Sequence, residues 1–214
     1  MGASERPPAA AAHSGRRSFA VLARGSCAHP DRLLLALAAE FRAVDWEQTL
    51  ERLDALARPL FGIAALDPDA AARRLLAGLG REEGLLADLE GVDGLLLDCV
   101  VRSGRGHPAL LALLYSEVGR RAGVTVRVLS SPECWYAGVE GEAEVVLIDP
   151  APASHSRPAA SQPVRSYCGH ELAYAVLGGL ARRFDARGAG AEAERARLLS
   201  EHLPVVRACG PGSA

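Results

Sequence analysis

Apolar residues in the first hundred positions recur every three or four residues, in runs stopped by glycine and proline. That spacing predicts a succession of short amphipathic helices. The run "PDRLLLALAAEFR" reads as one, with Asp31 as its N-cap. In "DWEQTLERLDALARPLF", Asp45 and Gln48 form a capping-box pattern, and the helix runs to Pro59. "DPDAAARRLLAGLG" opens with Pro68 near a helix start and closes on Gly80. Shorter helical pieces are predicted over 82–90 and 92–102.

The pattern changes near residue 107. "GHPALLALLYSEVGRRAG" is apolar almost all round in its first two turns, which predicts a buried helix opened by Pro108 and ended by Gly123. Three strand-like runs follow, at 124–130, 134–139 and 143–149, with "EGEA" (140–143) as a hairpin turn between the last two. Residues 150–166 are rich in Pro, Ala and Ser and read as a long loop. Two helices split by Gly188 and Gly190 close the chain as an αα-hairpin. Residues 1–17 and those after Pro204 read as tails. The expected fold class is α+β: a helical N-terminal lobe, a central buried helix on a small antiparallel sheet, and a C-terminal helical hairpin. The expected division is a tail (1–17), one domain with its helical lobe (18–166), a helical hairpin packed on it (167–204) and a loose end (205–214).

At 214 residues and 49% apolar content the chain has enough material for a real core. Its net charge of −2, with acid and base interspersed, argues against a nucleic-acid partner. All 24 basic residues are arginine, which together with the abundance of Ala and Gly reads as the bias of a GC-rich bacterial genome. No apolar run approaches the roughly 20 residues that span a bilayer, so no membrane partner is expected. The leader has no apolar core of a secretory signal. Five widely spaced cysteines, Cys27, Cys99, Cys134, Cys168 and Cys209, include no CxxC pair. They fit a reduced, cytoplasmic protein without structural zinc. His155 and His170 flank the long loop but lack a third ligand, so neither metal nor cofactor is expected.

One short stretch raises a chemical question. "SSPECWYAGV" carries Cys134 between Glu133 and Trp135, and "VVLIDP" ends a neighbouring strand in Asp149. A thiol and a carboxylate on adjacent strands point to a cysteine-dependent site.

The stretch "GRGHPALLALLYSEVGRRAGV" resembles the signature helix of the SirB-type branch of the transglutaminase-like superfamily. Arg105, Gly106, Pro108, Leu111, Leu113, Leu114, Tyr115, Glu117, Val118, Arg120, Arg121 and Gly123 match its pattern. "PECW" corresponds to that branch's P-G-H-F strand and "LIDP" to its F-I-D-P strand. The closing helices look like the tetratricopeptide-like hairpin that often follows. The resemblance implies a scaffold built for a Cys-His-Asp triad: a cysteine at the start of the buried helix, a histidine on the next strand, an aspartate on the strand after. Here the cysteine position falls on Pro108, as is common in that branch. The histidine position falls on Cys134, and the aspartate position on Asp149. Ordinary transglutaminase or papain-like chemistry is therefore expected to be absent.

Plainer readings stand beside each candidate. Cys134 reads as a small buried hydrophobe, Asp149 as the cap of the turn before Pro150, and His107 as a helix N-cap. Glu117 reads as an intrahelical partner of Arg120 and Arg121, and Asp98 as a helix-surface residue. The sharper reading sets His107 on the helix against Cys134 on the strand, an exchanged pair with Asp149 as second polar group. Trp135, Tyr136 and Glu133 are then candidates to line a substrate pocket. Two functions remain open: an enzyme acting on a small molecule in bacterial metabolism, specialised metabolism included, or a non-catalytic protein holding a ligand or protein partner. The oligomeric state is left open.

Overall fold

The structure is a computed structural model that describes residues 18–25, 29–141, 145–151, 154–156 and 164–204. The expected tails, Cys27, Cys209, part of the 140–143 turn and much of the 150–166 loop lie outside the described residues.

The architecture is α+β. In the helical lobe come α1 (Phe19–Ala23), α2 (Pro30–Ala39), α3 (Trp46–Ala57) and α4 (Pro68–Leu75). Asp45 caps α3 by accepting from the Gln48 amide, and Asp67 caps α4 by accepting from Ala70. Asp31 does not cap α2. Pro30 already stands inside that helix and His29 takes the cap position, so Asp31 is free to turn inward, where it is 2% exposed. After α4 the chain widens into a π-helical stretch, Leu76–Glu82, in place of an end at Gly80. The expected helix over 82–90 is instead a two-residue strand, β1 (Leu86–Ala87). The 92–102 piece divides into a 3-10 turn at Asp93–Leu95 and α5 (Leu97–Ser103). Asp98 on α5 is buried, not on the surface.

A second two-residue strand, β2 (Arg105–Gly106), pairs in parallel with β1 and delivers the chain into α6 (Pro108–Arg121). Ten of the fourteen residues of α6 are buried, including Leu110 to Tyr115, and only Arg120 in its last turn is exposed. α6 lies on the sheet face formed by β3 (Val126–Ser130) and β4 (Trp135–Glu140). Gly119 permits the approach, because a Cβ there would sit 2.5 Å from Val126 Cγ2. β5 (Val145–Asp149) continues the meander.

Two further strands come from the region read as loop: β6 (Ser154–Ser156) and β7 (Arg165–Tyr167). The five-stranded order is β6-β5-β4-β3-β7, antiparallel throughout. α7 (Gly169–Ala186) and α8 (Gly190–Ser200) form the closing hairpin, with Gly188 between them at φ +72°. α7 packs on α2 as well as α8.

Buried charge ties the lobes together. Arg121 donates to Glu117 and to Asp31, at 2.6 Å each, and to Asp54 at 2.8 Å. Arg120 adds a second donor to Glu117 at 2.8 Å. The intrahelical pairing expected of Glu117 is present, and the network extends beyond α6 to α2 and α3.

Candidate functional site

Strand alternation decides where the candidate residues point. The registers Ser130–Trp135, Val128–Ala137 and Ala137–Ile148 put Trp135, Ala137 and Ile148 on one face, toward α6. Leu129 pairs with Tyr136 and Gly138 with Leu147, on the opposite face. Cys134 packs with that outer set, against Leu129, Tyr136 and Leu147. Its amide donates to Ser131 Oγ (3.1 Å) and its carbonyl accepts from the Ser131 amide (2.9 Å), closing the turn into β4. Asp149, two residues past Leu147, accepts from the Ala151 amide at 3.0 Å, as a strand-end turn cap does. Glu133 is exposed in the turn. The structure therefore does not assemble the expected Cys134–His107 pair. The sheet separates them, because a residue and its chain neighbour face opposite ways and Trp135 takes the helix-facing place.

The groups gathered around His107 are different. A cleft of about 460 Å³ opens at the start of α6, lined by His107, Ala109 and Trp135, by Leu89 and Leu95, and by the α7 residues Tyr174, Val176, Gly178, Arg182 and Arg183. Of the sequence candidates, His107 and Trp135 meet here. Cys134, Tyr136, Glu133 and Asp149 do not line it.

Each wall has a local cause. The His107 backbone amide donates to Gly94 O at 2.7 Å, and the β1–β2 pairing fixes the residues before it. Its Nδ1 accepts from the Ala109 amide at 3.3 Å, so His107 does cap α6. Burial pushes its pKa down from 6.5 to about 4, with the charges of Arg183 and Arg182 adding to the effect. The ring is therefore neutral, and with Nδ1 engaged it carries its proton on Nε2. Toward a ligand, neutral His107 is a hydrogen-bond donor and not a base.

The second wall is the turn 88–91. Asp88 Oδ1 accepts from the Glu90 and Gly91 amides, and those bonds hold its carboxyl below the usual range. Arg183 clamps this turn to α7, donating to Gly91 O and Leu89 O at 2.5 Å each. Trp135 is braced from outside: its ring lies 4.6 Å from that of Tyr167, over which Arg165 sits at 4.7 Å. Arg165 in turn pairs with buried Glu171, which also accepts from the Cys168 amide. Arg182 differs from its neighbour. Among the described residues it has no hydrogen-bond or ion-pair partner, and it is exposed at the cleft.

Sequence reasoning missed Arg182, Arg183, Tyr174 and Gly178. The available signal was Gly178 and Arg182 standing i, i+4 on one face of a helix, a cation with no side chain beneath it. Among the described residues, no group of three His, Cys, Asp or Glu could hold a metal, and no helix is long and apolar enough to cross a membrane. Of the cysteines described, Cys99 is buried beside Arg42, Arg102 and Asp98, and Cys168 stands at the N-cap of α7.

No curated protein and no solved structure matches the chain. A family model does: that of the transglutaminase-like superfamily, over residues 34–175, from α2 to the first turns of α7. The match covers well over half of the 214 residues and takes in α6, the sheet and most of the cleft, so the chain belongs to the transglutaminase-like superfamily.

Proposed function

We propose that this is a SirB-type member with a degenerate triad, whose remodelled cleft holds a small molecule without covalent chemistry. One observation carries the reading: the cleft at the start of α6 is lined by a neutral histidine, an aromatic ring and an unpaired arginine, with no cysteine among its walls. Pro108 stands where the superfamily's nucleophile would, and its tertiary-amide nitrogen and hydrocarbon ring have nothing to donate or attack with. Cys134 supports the outer face of the sheet instead.

The volume suits a metabolite-sized ligand. His107 Nε2–H and Arg182 would bind an electron-rich oxygen, and they would polarise a carbonyl without supplying a nucleophile. A role in bacterial, specialised metabolism fits such a cleft. A protein partner on the closing helices is less well supported. Among the described residues, the large exposed apolar side chains of α7 and α8 are Tyr174, which belongs to the cleft, and Leu198, which stands apart.

The test is a ligand screen by thermal shift, repeated on Gly178→Leu. A Cβ at Gly178 would meet only Arg182 Nη1, at 3.5 Å, so the leucine grows into the cleft without disturbing the core. Ligands that stabilise the parent and not the variant support the reading. Ligands that stabilise both equally count against it.

A further inference from the structure

The cleft is divided chemically. Trp135, Leu95 and Val176 form an apolar side, and Arg182 and His107 supply the polar groups. Trp135 has one neighbour ring already, Tyr167, itself covered by Arg165. The two rings are tilted by 56° and do not stack, so a planar group entering from the cleft would make its own contact with the indole. On the α7 wall, Gly178 has no side chain, and the place one would take is bordered by Arg182 Nη1 at 3.5 Å. Flat ligands are favoured by such a slot.

The donors are few, and they are specific. Arg183 contributes charge, but its guanidinium is taken up by the carbonyls of Leu89 and Gly91. Among the described residues, that leaves Arg182 as the one cation of the cleft without a partner, joined by the neutral donors of His107, Trp135 and Tyr174. A carboxylate has two oxygens in one plane and is satisfied by that set. A phosphate carries close to two charges and would find a single cation not already engaged.

Building on the small-molecule reading above, we infer that the ligand is an aromatic monocarboxylate, its ring on Trp135 beside Gly178 and its carboxylate on Arg182. Gly178 and Arg182, one helical turn apart on α7, are then the specificity-determining pair: the first makes the slot and the second reads the charge.

The experiment is isothermal titration of the full chain with cinnamate, cinnamamide and phenyl phosphate, alongside Arg182→Gln and Gly178→Leu. Cinnamate is expected to bind about tenfold or more tightly than the amide, as a charge-assisted hydrogen bond at a partly exposed site provides. Arg182→Gln should remove that advantage and leave the amide unchanged. Gly178→Leu should abolish both. Equal binding of acid and amide, tighter binding of phenyl phosphate, no binding of cinnamate, or indifference to Arg182→Gln overturns the inference. In those cases the small-molecule reading still stands if some other ligand is lost on Gly178→Leu. Binding of cinnamate that survives Gly178→Leu overturns both. If that variant does not fold, the Trp135 indole N–H resonance of the parent decides the same point, since it must shift on titration.

Discussion

Arg121 reaches Asp31 across ninety positions of sequence at 2.6 Å, and both side chains are largely withdrawn from water. The contact joins the end of the central helix to the start of α2. Asp31 and Glu117 each depend on it to offset the loss of their hydration. Removing the guanidinium should leave buried Asp31 facing only Arg120, at 3.7 Å, and Glu117 with Arg120 as its one remaining side-chain partner. Arg121→Ala is expected to lower stability by about 3 kcal/mol or more, measured by urea denaturation. Arg121→Lys should recover little, because an ammonium cannot span Asp31, Glu117 and Asp54 together. A loss within the range of an ordinary surface substitution would contradict this account of the network.

His107 gives a pH dependence with a definite sign. Its pKa lies near 4 in the fold, against 6.5 ordinarily. Above about pH 6.5 it is neutral both folded and unfolded, and its contribution is fully present. As pH falls toward 4 the unfolded chain takes up a proton that the fold refuses, so stability is lost. Below about 4 the loss stops growing. His107→Asn keeps an N-cap acceptor and removes the titration. The parent's stability should therefore fall relative to the variant's between pH 6.5 and 4, by up to roughly 1.4 kcal/mol per pH unit. Parallel curves across that window would refute the assignment.

Thiol acyl transfer should be absent. Incubation with a glutamine-donor peptide and a primary amine is expected to yield no cross-linked product by mass spectrometry, and Cys134→Ala should bind cleft ligands as the parent does. Transamidation that disappears with Cys134→Ala would restore the thiol to a catalytic role.

Cysteine reactivity should follow burial. Burial pushes the Cys99 thiol up to about 11, with Asp98 and Asp93 adding to the effect against Arg42 and Arg102. Iodoacetamide at pH 8, followed by peptide mapping, should therefore label half-buried Cys134 and Cys168 well before Cys99. Early labelling of Cys99 in the folded protein would mean that α5 opens locally.

Gly119 sets how closely α6 lies on the sheet. A methyl group there would overlap Val126 Cγ2, a branched side chain with little room to rotate. Gly119→Ala is expected to destabilise by about 1–3 kcal/mol despite its better helix propensity, whereas Gly178→Ala, whose Cβ would meet only Arg182 Nη1 at an ordinary contact distance, should not. Equal effects in denaturant melts would rule out the packing argument.

What could be read in advance follows from where the determinants lie. α6 was legible from end to end because proline, continuous apolarity and glycine are all local signals, and β3 to β5 were legible as an alternating meander. β6 and β7 were not: "SHS" and "RSY" have no apolar alternation and form strands only because β5 and β3 offer open edges. Asp31 read as a helix cap and Asp98 as a surface carboxylate because nothing in their neighbourhoods shows the arginines that meet them from α6 and from Arg42. The site was legible by position and not by face. The chain marks the start of α6 and the start of β4 as important, but which of Cys134 and Trp135 looks inward depends on pairing register, and one residue of offset exchanges them.

β7 runs into α7 through Cys168 alone, so the strand that braces Trp135 and the helix that carries Gly178 and Arg182 are one uninterrupted piece of chain. Such a piece transmits displacement. α7 cannot swing away from the 88–91 turn without pulling on the hydrogen bonds between β7 and β3, and a ligand that wedges the slot open loads the sheet edge. Occupancy of the cleft should thus be felt as a change in the protection of the Val128 to Ser130 backbone, and the edge of the sheet becomes a gauge of what the cleft contains.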